Sequence, residues 1–236
     1  MSLEGKHQGS TFLVVGCAPS LGDIELYAPE DVVSIGANRV LNHPYFMPNY
    51  VMLCDRRPYS IDLKMGIYHS FSDQTTFLAS TTIWDKNIKC HGFPPMDEPN
   101  FQYHPWRVGT MRSEINLETF SKPLCSCATI VGPMIQAAAI MGASKIGIVG
   151  VDLETPQDGN NHFYEDGDGE KLTYKNQPKD GKIDISPPGG LDRLRDLKNA
   201  IEKRGIEITN LSPVKDSPFS TVFPAYDFDD WIDANA

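Results

Sequence analysis

The sequence predicts an α/β fold on a mainly parallel sheet, and three features predict it. Short apolar, β-branched runs recur along the chain and each halts on glycine, small or polar residues, as fully buried parallel strands do where they enter a loop. A helix rich in small residues leads at once into one of these runs, which makes half of a βαβ crossover. Near the C-terminal end a second helix repeats that step into a last short strand.

Residues 12–15 read as the first strand, stopped by Gly16-Cys17-Ala18-Pro19-Ser20, and residues 31–36 and 50–55 repeat the pattern. Residues 75–79 form a further short strand. Residues 84–123 are rich in proline, aromatic and polar residues without a sustained period, and read as an insertion or flap. Small and apolar residues then fill 128–141, a helix with Gly142 as its stop, ahead of a strand over 145–152. Residues 154–188 carry the breakers Asp158-Gly159, Gly167, Gly169, Pro178, Pro187 and Pro188, the signature of a long lid or binding loop. Leu191, Leu194, Leu197 and Ile201 share one helical stripe, and Gly205 ends that helix before a strand at 206–209. Together these elements imply one Rossmann-like, doubly wound domain over 11–215 with a flap or lid insertion. Residues 216–236 follow as a tail packed on it, and residues 1–10, polar and aperiodic, are set aside as a leader or disordered segment.

Composition narrows the function. The 236 residues suit one core, and a formal net charge of -10 repels the phosphate backbone, which argues against a nucleic-acid partner. No apolar run reaches the roughly 20 residues of a transmembrane helix. Cys17, Cys54, Cys90, Cys125 and Cys127 are odd in number and fit neither a zinc nor a redox spacing, so reduced thiols in a cytoplasmic protein are expected. A homo-oligomer is left open.

In an open parallel sheet, ligands sit outside the carboxyl ends of the strands. Four such ends carry candidate residues. The small-residue turn Gly16-Cys17-Ala18-Pro19-Ser20 lets backbone amides approach an anion, with Pro19 suited to a first helical position. Asn38 offers donor and acceptor together to a base or ribose, and Asp55 precedes an arginine pair, Arg56 and Arg57, that can clamp phosphate. Asp152 and Glu154 close the strand before His162, where carboxylates hold Mg²⁺ or take a proton and an imidazole serves as acid or base. Each has a plainer reading as a loop cap or solvated face. The Asp166-Gly167-Asp168-Gly169 run lacks the ligand spacing of a calcium loop and reads as a turn.

Gly16-Cys17-Ala18-Pro19-Ser20-Leu21 resembles the Gly-x-Gly-Pro-Ser-Leu signature shared by the bacterial family 42 sialyltransferases and the related family 115 domains of unknown function, which include 6-hydroxymethylpterin pyrophosphokinase. Asn38, the Pro48-Asn49-Tyr50-Val51 to Asp55 stretch, the segment from Cys127 to His162 and Asn210-Leu211-Ser212-Pro213 extend the likeness over most of 12–215. The first group implies a CMP-sugar donor held without metal by Gly16, Ser20, Asn38 and Asp55, and a glycan acceptor. Glu154 and His162 stand nearest the places of that group's two phosphate-steadying tyrosines, and Ser186-Pro187-Pro188 replaces its general-base histidine. The second group implies Mg²⁺ on nucleotide phosphates, held by Asp55, Asp152 and Glu154.

Three readings follow. The first is a glycosyltransferase-like enzyme using a nucleotide-activated sugar, with Gly16, Cys17, Ala18, Pro19, Ser20, Asn38 and Asp55 on the nucleotide and His162, Asp152 and Glu154 on the chemistry. The second is a Mg²⁺-dependent pyrophosphokinase or phosphotransferase. The third is a non-enzymatic binding module on the same fold.

Overall fold

The computed structural model describes residues 2–54, 75–80, 103–153, 162–164 and 189–235. Seven strands form one sheet: β1 (Thr11–Val15), β2 (Val32–Ala37), β3 (Tyr50–Leu53), β4 (Thr76–Ser80), β5 (Tyr103–Trp106), β6 (Lys145–Val149) and β7 (Glu207–Asn210). Their order is β5-β4-β3-β2-β1-β6-β7, with every pairing parallel. The chain winds outward from β1 to β5, then returns to the far side of β1 for β6 and β7. The winding reverses between β1 and β6, where Val15 pairs with Val149, and a crevice opens at such a reversal in a Rossmann-like α/β fold.

The central strands are apolar on both faces because both faces are covered. Phe12, Leu13, Val14, Val15, Val51, Met52 and Leu53 have no exposed surface. Helix α1 (Val131–Met141) is buried along its whole length, which its small residues Gly132, Ala137, Ala138 and Ala139 permit. Gly142 ends it at φ 104, a left-handed conformation that suits glycine. Helix α2 (Gly190–Lys203) buries Leu194, Leu197 and Ile201 of the expected stripe together with Gly190, while Leu191 is half-buried against the core. Both helices run into the strand that follows, so their N-termini lie at the carboxyl end of the sheet.

Three departures from the sequence reading have physical causes. The flap expected over 84–123 contains β5, an edge strand whose Pro105 removes a donor where few partners need it, and Trp106 Nε1 anchors it by donating to Leu78 O at 3.0 Å. Helix α1 starts three residues late, after Cys127 and Ala128 take left-handed φ values of 45 and 63. Residues 2–10 are packed rather than loose: the amides of Gly5, His7 and Gly9 donate to Ile140 O, Met141 O and Gly142 O at 2.8–2.9 Å, and Leu3 is buried. A polar segment is needed there because the last carbonyls of a helix have no partner within it. Of the lid loop expected over 154–188, only 162–164 falls within the described residues, and Phe163 and Tyr164 pack against the core.

The tail folds back as α3 (Phe228–Asp233), capped by the Asp227 side chain on Asp230 N. Its Trp231 ring lies over Gly147 of β6, where an added Cβ would come within 2.8 Å of it.

Candidate functional site at the winding reversal

At the carboxyl end of the sheet, the loops after β1 and β6 are bonded to each other. Gly16 N donates to Val149 O at 2.8 Å and Ala18 N to Gly150 O at 2.9 Å. A Cβ on Gly16 would fall 2.1 Å from Gly150 O, so glycine is required there by a neighbouring loop of the same chain. Pro19 opens a 3-10 turn (Pro19–Asp23) that places Ser20 inward. Ser20 Oγ donates to Asp152 Oδ1 at 2.7 Å and Ser20 N approaches Asp152 Oδ2 at 3.3 Å. Ser212 Oγ, beyond β7, donates to the same Oδ1 at 2.8 Å, and Asn210 Oδ1 accepts from Ser212 N at 3.0 Å. Asp152, Ser20, Ser212 and Asn210 are all buried.

This network assigns Asp152 a definite task. Three donors hold its carboxylate, and both hydroxyls meet one oxygen, so the lone pairs of Oδ1 are spent. Asp152 therefore ties together the loops that follow β1, β6 and β7, while Oδ2 receives only the longer contact from Ser20 N. Among the described residues, no group of three or more His, Cys, Asp or Glu side chains gathers in the arrangement of metal ligands. The amides of Gly16, Ala18 and Ser20, expected from the sequence to meet an anion, are likewise engaged within the protein.

The polar groups left over lie on the β2 side. Asn38 sits just past β2 at φ 49, its amide donating to Met52 O at 2.9 Å, and its side-chain oxygen is buried without a hydrogen-bond partner. Asparagine tolerates this left-handed conformation better than most residues. Cys17 Sγ donates to Ala37 O at 3.1 Å and fastens the first loop to the same strand end. His43 follows in the next turn, its Nδ1 also buried without a partner and its ring 5.7 Å from that of Phe163. Burial pushes the His43 imidazole below its ordinary pKa.

Phe163 N donates to Cys17 O at 3.0 Å, which pins residues 162–164 to the first loop. His162, the imidazole expected near the chemistry, stacks on Tyr164 with centroids 4.9 Å apart and planes within 3°. Gly16, Cys17, Ala18, Pro19, Ser20, Asn38, Asp152 and His162 thus meet at one end of the sheet. Asp55, Arg56, Arg57 and Glu154 lie outside the described residues. Sequence reasoning missed His43: its only signal is a place just beyond the Asn38 turn, and Phe163, which it meets, comes from a distant loop.

A cavity of about 580 Å³ opens nearby between Asp23, Glu25, Tyr27, Lys215, Tyr226 and Asp229. Its carboxylates outnumber its lysine, so it repels a nucleotide phosphate.

No protein-family model and no curated protein matches this sequence. Solved structures that resemble the fold include two of sialyltransferases. One is a sialyltransferase CST-II variant in complex with CMP, 14% identical, with a TM-score of 0.53 over 92% of this chain and 86% of that one. The other is the sialyltransferase CstII from Campylobacter jejuni in complex with the substrate analogue CMP-3FNeuAc, 13% identical over the same shares, with a TM-score of 0.49.

Proposed function

We propose that this chain is a glycosyltransferase-like enzyme whose donor is a nucleotide-activated sugar of the CMP type. The observation that carries the reading is Asn38: a buried amide oxygen without a partner, held at the end of β2 beside the winding reversal. A buried acceptor left unpaired costs about 1–3 kcal/mol, and a ligand donor such as a cytosine amino group or a ribose hydroxyl repays it on binding. The fold shared with a protein crystallised with CMP supports the choice of nucleotide.

In this reading the nucleotide lies across the carboxyl ends of β1, β2 and β3, against Gly16, Cys17, Ala18, Pro19, Ser20, Asn38 and Asp55. The acceptor hydroxyl attacks the anomeric carbon, the bond to the phosphate oxygen breaks, and the nucleoside monophosphate leaves. His162 receives the acceptor proton, and Asp152 keeps the first loop in place. The donor is taken to be held without metal, as the family 42 resemblance implies.

Thermal stability of the full chain with CMP, CDP, UDP and ATP, each with and without Mg²⁺, tests this reading, because a ligand that binds only the folded state raises its melting temperature. Metal-independent stabilisation by CMP, weakened about tenfold in affinity by Asn38→Ala, is expected. Stabilisation by none of the cytidine nucleotides overturns it, and Mg²⁺-dependent stabilisation by ATP replaces it with phosphotransfer.

A further inference from the structure

Two thiols that the proposed chemistry does not use stand together at the N-terminus of α1. Cys127 Sγ lies 3.6 Å from Cys125 Sγ and donates toward it, and Arg193 Nη2 of α2 reaches Cys125 Sγ at 3.6 Å. Arg193 is held in turn by Ser113 O and the Asp196 carboxylate, each at 2.7 Å, and its Nε is buried without a partner. We infer that Cys125 and Cys127 form a peroxide-reactive dithiol, with Cys125 as the thiolate that is oxidised and Cys127 as the thiol that resolves it to a disulfide.

The geometry separates the two roles. Both side chains are buried, so the oxidant has to be as small as hydrogen peroxide and enter the packing to reach them. The thiol of Cys127 and then the guanidinium of Arg193 stabilise the Cys125 thiolate and, against burial, bring its pKa down to about 6, whereas hydrogen bonding to Cys125 and burial push the Cys127 thiol up. Gln136 clamps the Cys125 backbone from both sides: its Oε1 accepts from Cys125 N at 3.0 Å and its Nε2 donates to Cys125 O at 2.8 Å. Cys127 is held differently. It and Ala128 both have left-handed φ, a conformation uncommon for side-chain-bearing residues, so the backbone that would shift to close the bond is already strained. Gly132 makes room below it, since a Cβ there would fall 2.7 Å from Cys127 Cβ. The sulfurs need to approach from 3.6 Å to about 2.05 Å, a local adjustment.

The chemistry balances with one hydroperoxide. The Cys125 thiolate attacks the peroxide oxygen, the O–O bond breaks, and hydroxide leaves as the sulfenic acid forms. Cys127 sulfur then attacks Cys125 sulfur, water leaves, and the disulfide closes. In sum, two thiols and one hydrogen peroxide give one disulfide and two waters. A soft metal cation is the poorer occupant, because the guanidinium already lies against one sulfur.

Intact-mass and peptide analysis of the full chain after mild hydrogen peroxide treatment tests this. The expected result is loss of two hydrogens confined to the tryptic peptide covering 113–145, which then resists alkylation until reduced. Cys127→Ser stops the reaction one step earlier, leaving a dimedone-reactive sulfenic acid on Cys125, and Arg193→Met slows oxidation of Cys125. Cys54→Ser leaves the linkage unchanged. Oxidation spread over other cysteines with Cys125 and Cys127 still alkylatable overturns the inference, as does sulfenic acid on Cys127 in Cys125→Ser at the wild-type rate.

Discussion

Ser20 and Asp152 meet across the winding reversal at 2.7 Å, one from the loop after β1 and the other from the loop after β6. Both are buried, and the acceptor is a carboxylate, so the bond belongs to the stronger class, worth about 1.5–3 kcal/mol. Ser20→Ala and Asp152→Asn should each lower unfolding free energy by about that much in urea titrations. The double variant should cost less than the sum, with a coupling of about 0.5–3 kcal/mol. Additive losses would show that the two side chains act separately and that Asp152 is free for another role.

Two glycines of the same loop should respond oppositely to alanine. At Gly16 the new methyl group meets Gly150 O at 2.1 Å and Val151 Cγ2 at 2.9 Å, and the nearer atom is backbone that cannot step aside. At Gly22 the nearest atom is Phe163 Cβ at 3.9 Å, an ordinary contact. Gly16→Ala is expected to destabilise by about 3 kcal/mol, the upper end of overpacking costs, and Gly22→Ala to fall within about 0.5 kcal/mol of the parent. Equal unfolding midpoints for the two variants would refute the loop-packing account of Gly16.

The contrast between those glycines also marks what the sequence could disclose. A small-residue turn after a buried strand announces close approach, but not what approaches. Gly16 and Ser20 were legible as special, whereas their partners Gly150 and Asp152 lie far along the chain and become neighbours only once β6 pairs with β1. The central strands were legible because burial on both faces writes an unbroken apolar run. β5 was not, because Tyr103-His104-Pro105-Trp106 carries a proline and a histidine that only an edge position tolerates. His43 and the Cys125, Cys127 and Arg193 cluster were hidden for the same reason as Asp152: their geometry comes from contacts between separate elements.

Burial lowers the pKa of His7, His43 and His104 from the ordinary 6.5. The folded protein therefore binds fewer protons than the unfolded chain just below that value, and stability rises with pH through this window. Their contribution is fully present above 6.5 and is lost as pH falls below it. Melting temperature should drop between pH about 7.5 and about 5.5, and His43→Phe, which keeps a ring against Phe163, should flatten the slope. Glu4 acts in a lower window: hydrogen bonding from Ser2, with further donors from Phe120 and Thr119, holds it at about 2 against 4.5, so its contribution is present in full above 4.5 and is lost as pH falls from there through about 2. A melting temperature constant from pH about 7.5 to about 5.5 would contradict the histidine assignment.

The tail offers the last test, because its short helix covers a position where the sheet has no side chain of its own. Gly147 of β6 leaves a gap that Trp231 and Leu211 fill, with Trp231 only 5% exposed, and Phe228 and Ile232 extend the same cover. Trp231→Ala opens that gap to the sheet and should cost about 3–5 kcal/mol, as large aromatic deletions in cores do. Trp231→Phe keeps part of the ring and should cost less. Filling the gap from the other side by Gly147→Ala should be unfavourable in the parent, where the added Cβ lies 2.6 Å from Leu211 Cδ1, and less so when Trp231 is already alanine. Urea midpoints for the four proteins measure this coupling, and a loss below about 1 kcal/mol for Trp231→Ala would mean that the tail rests on the domain without sharing its core.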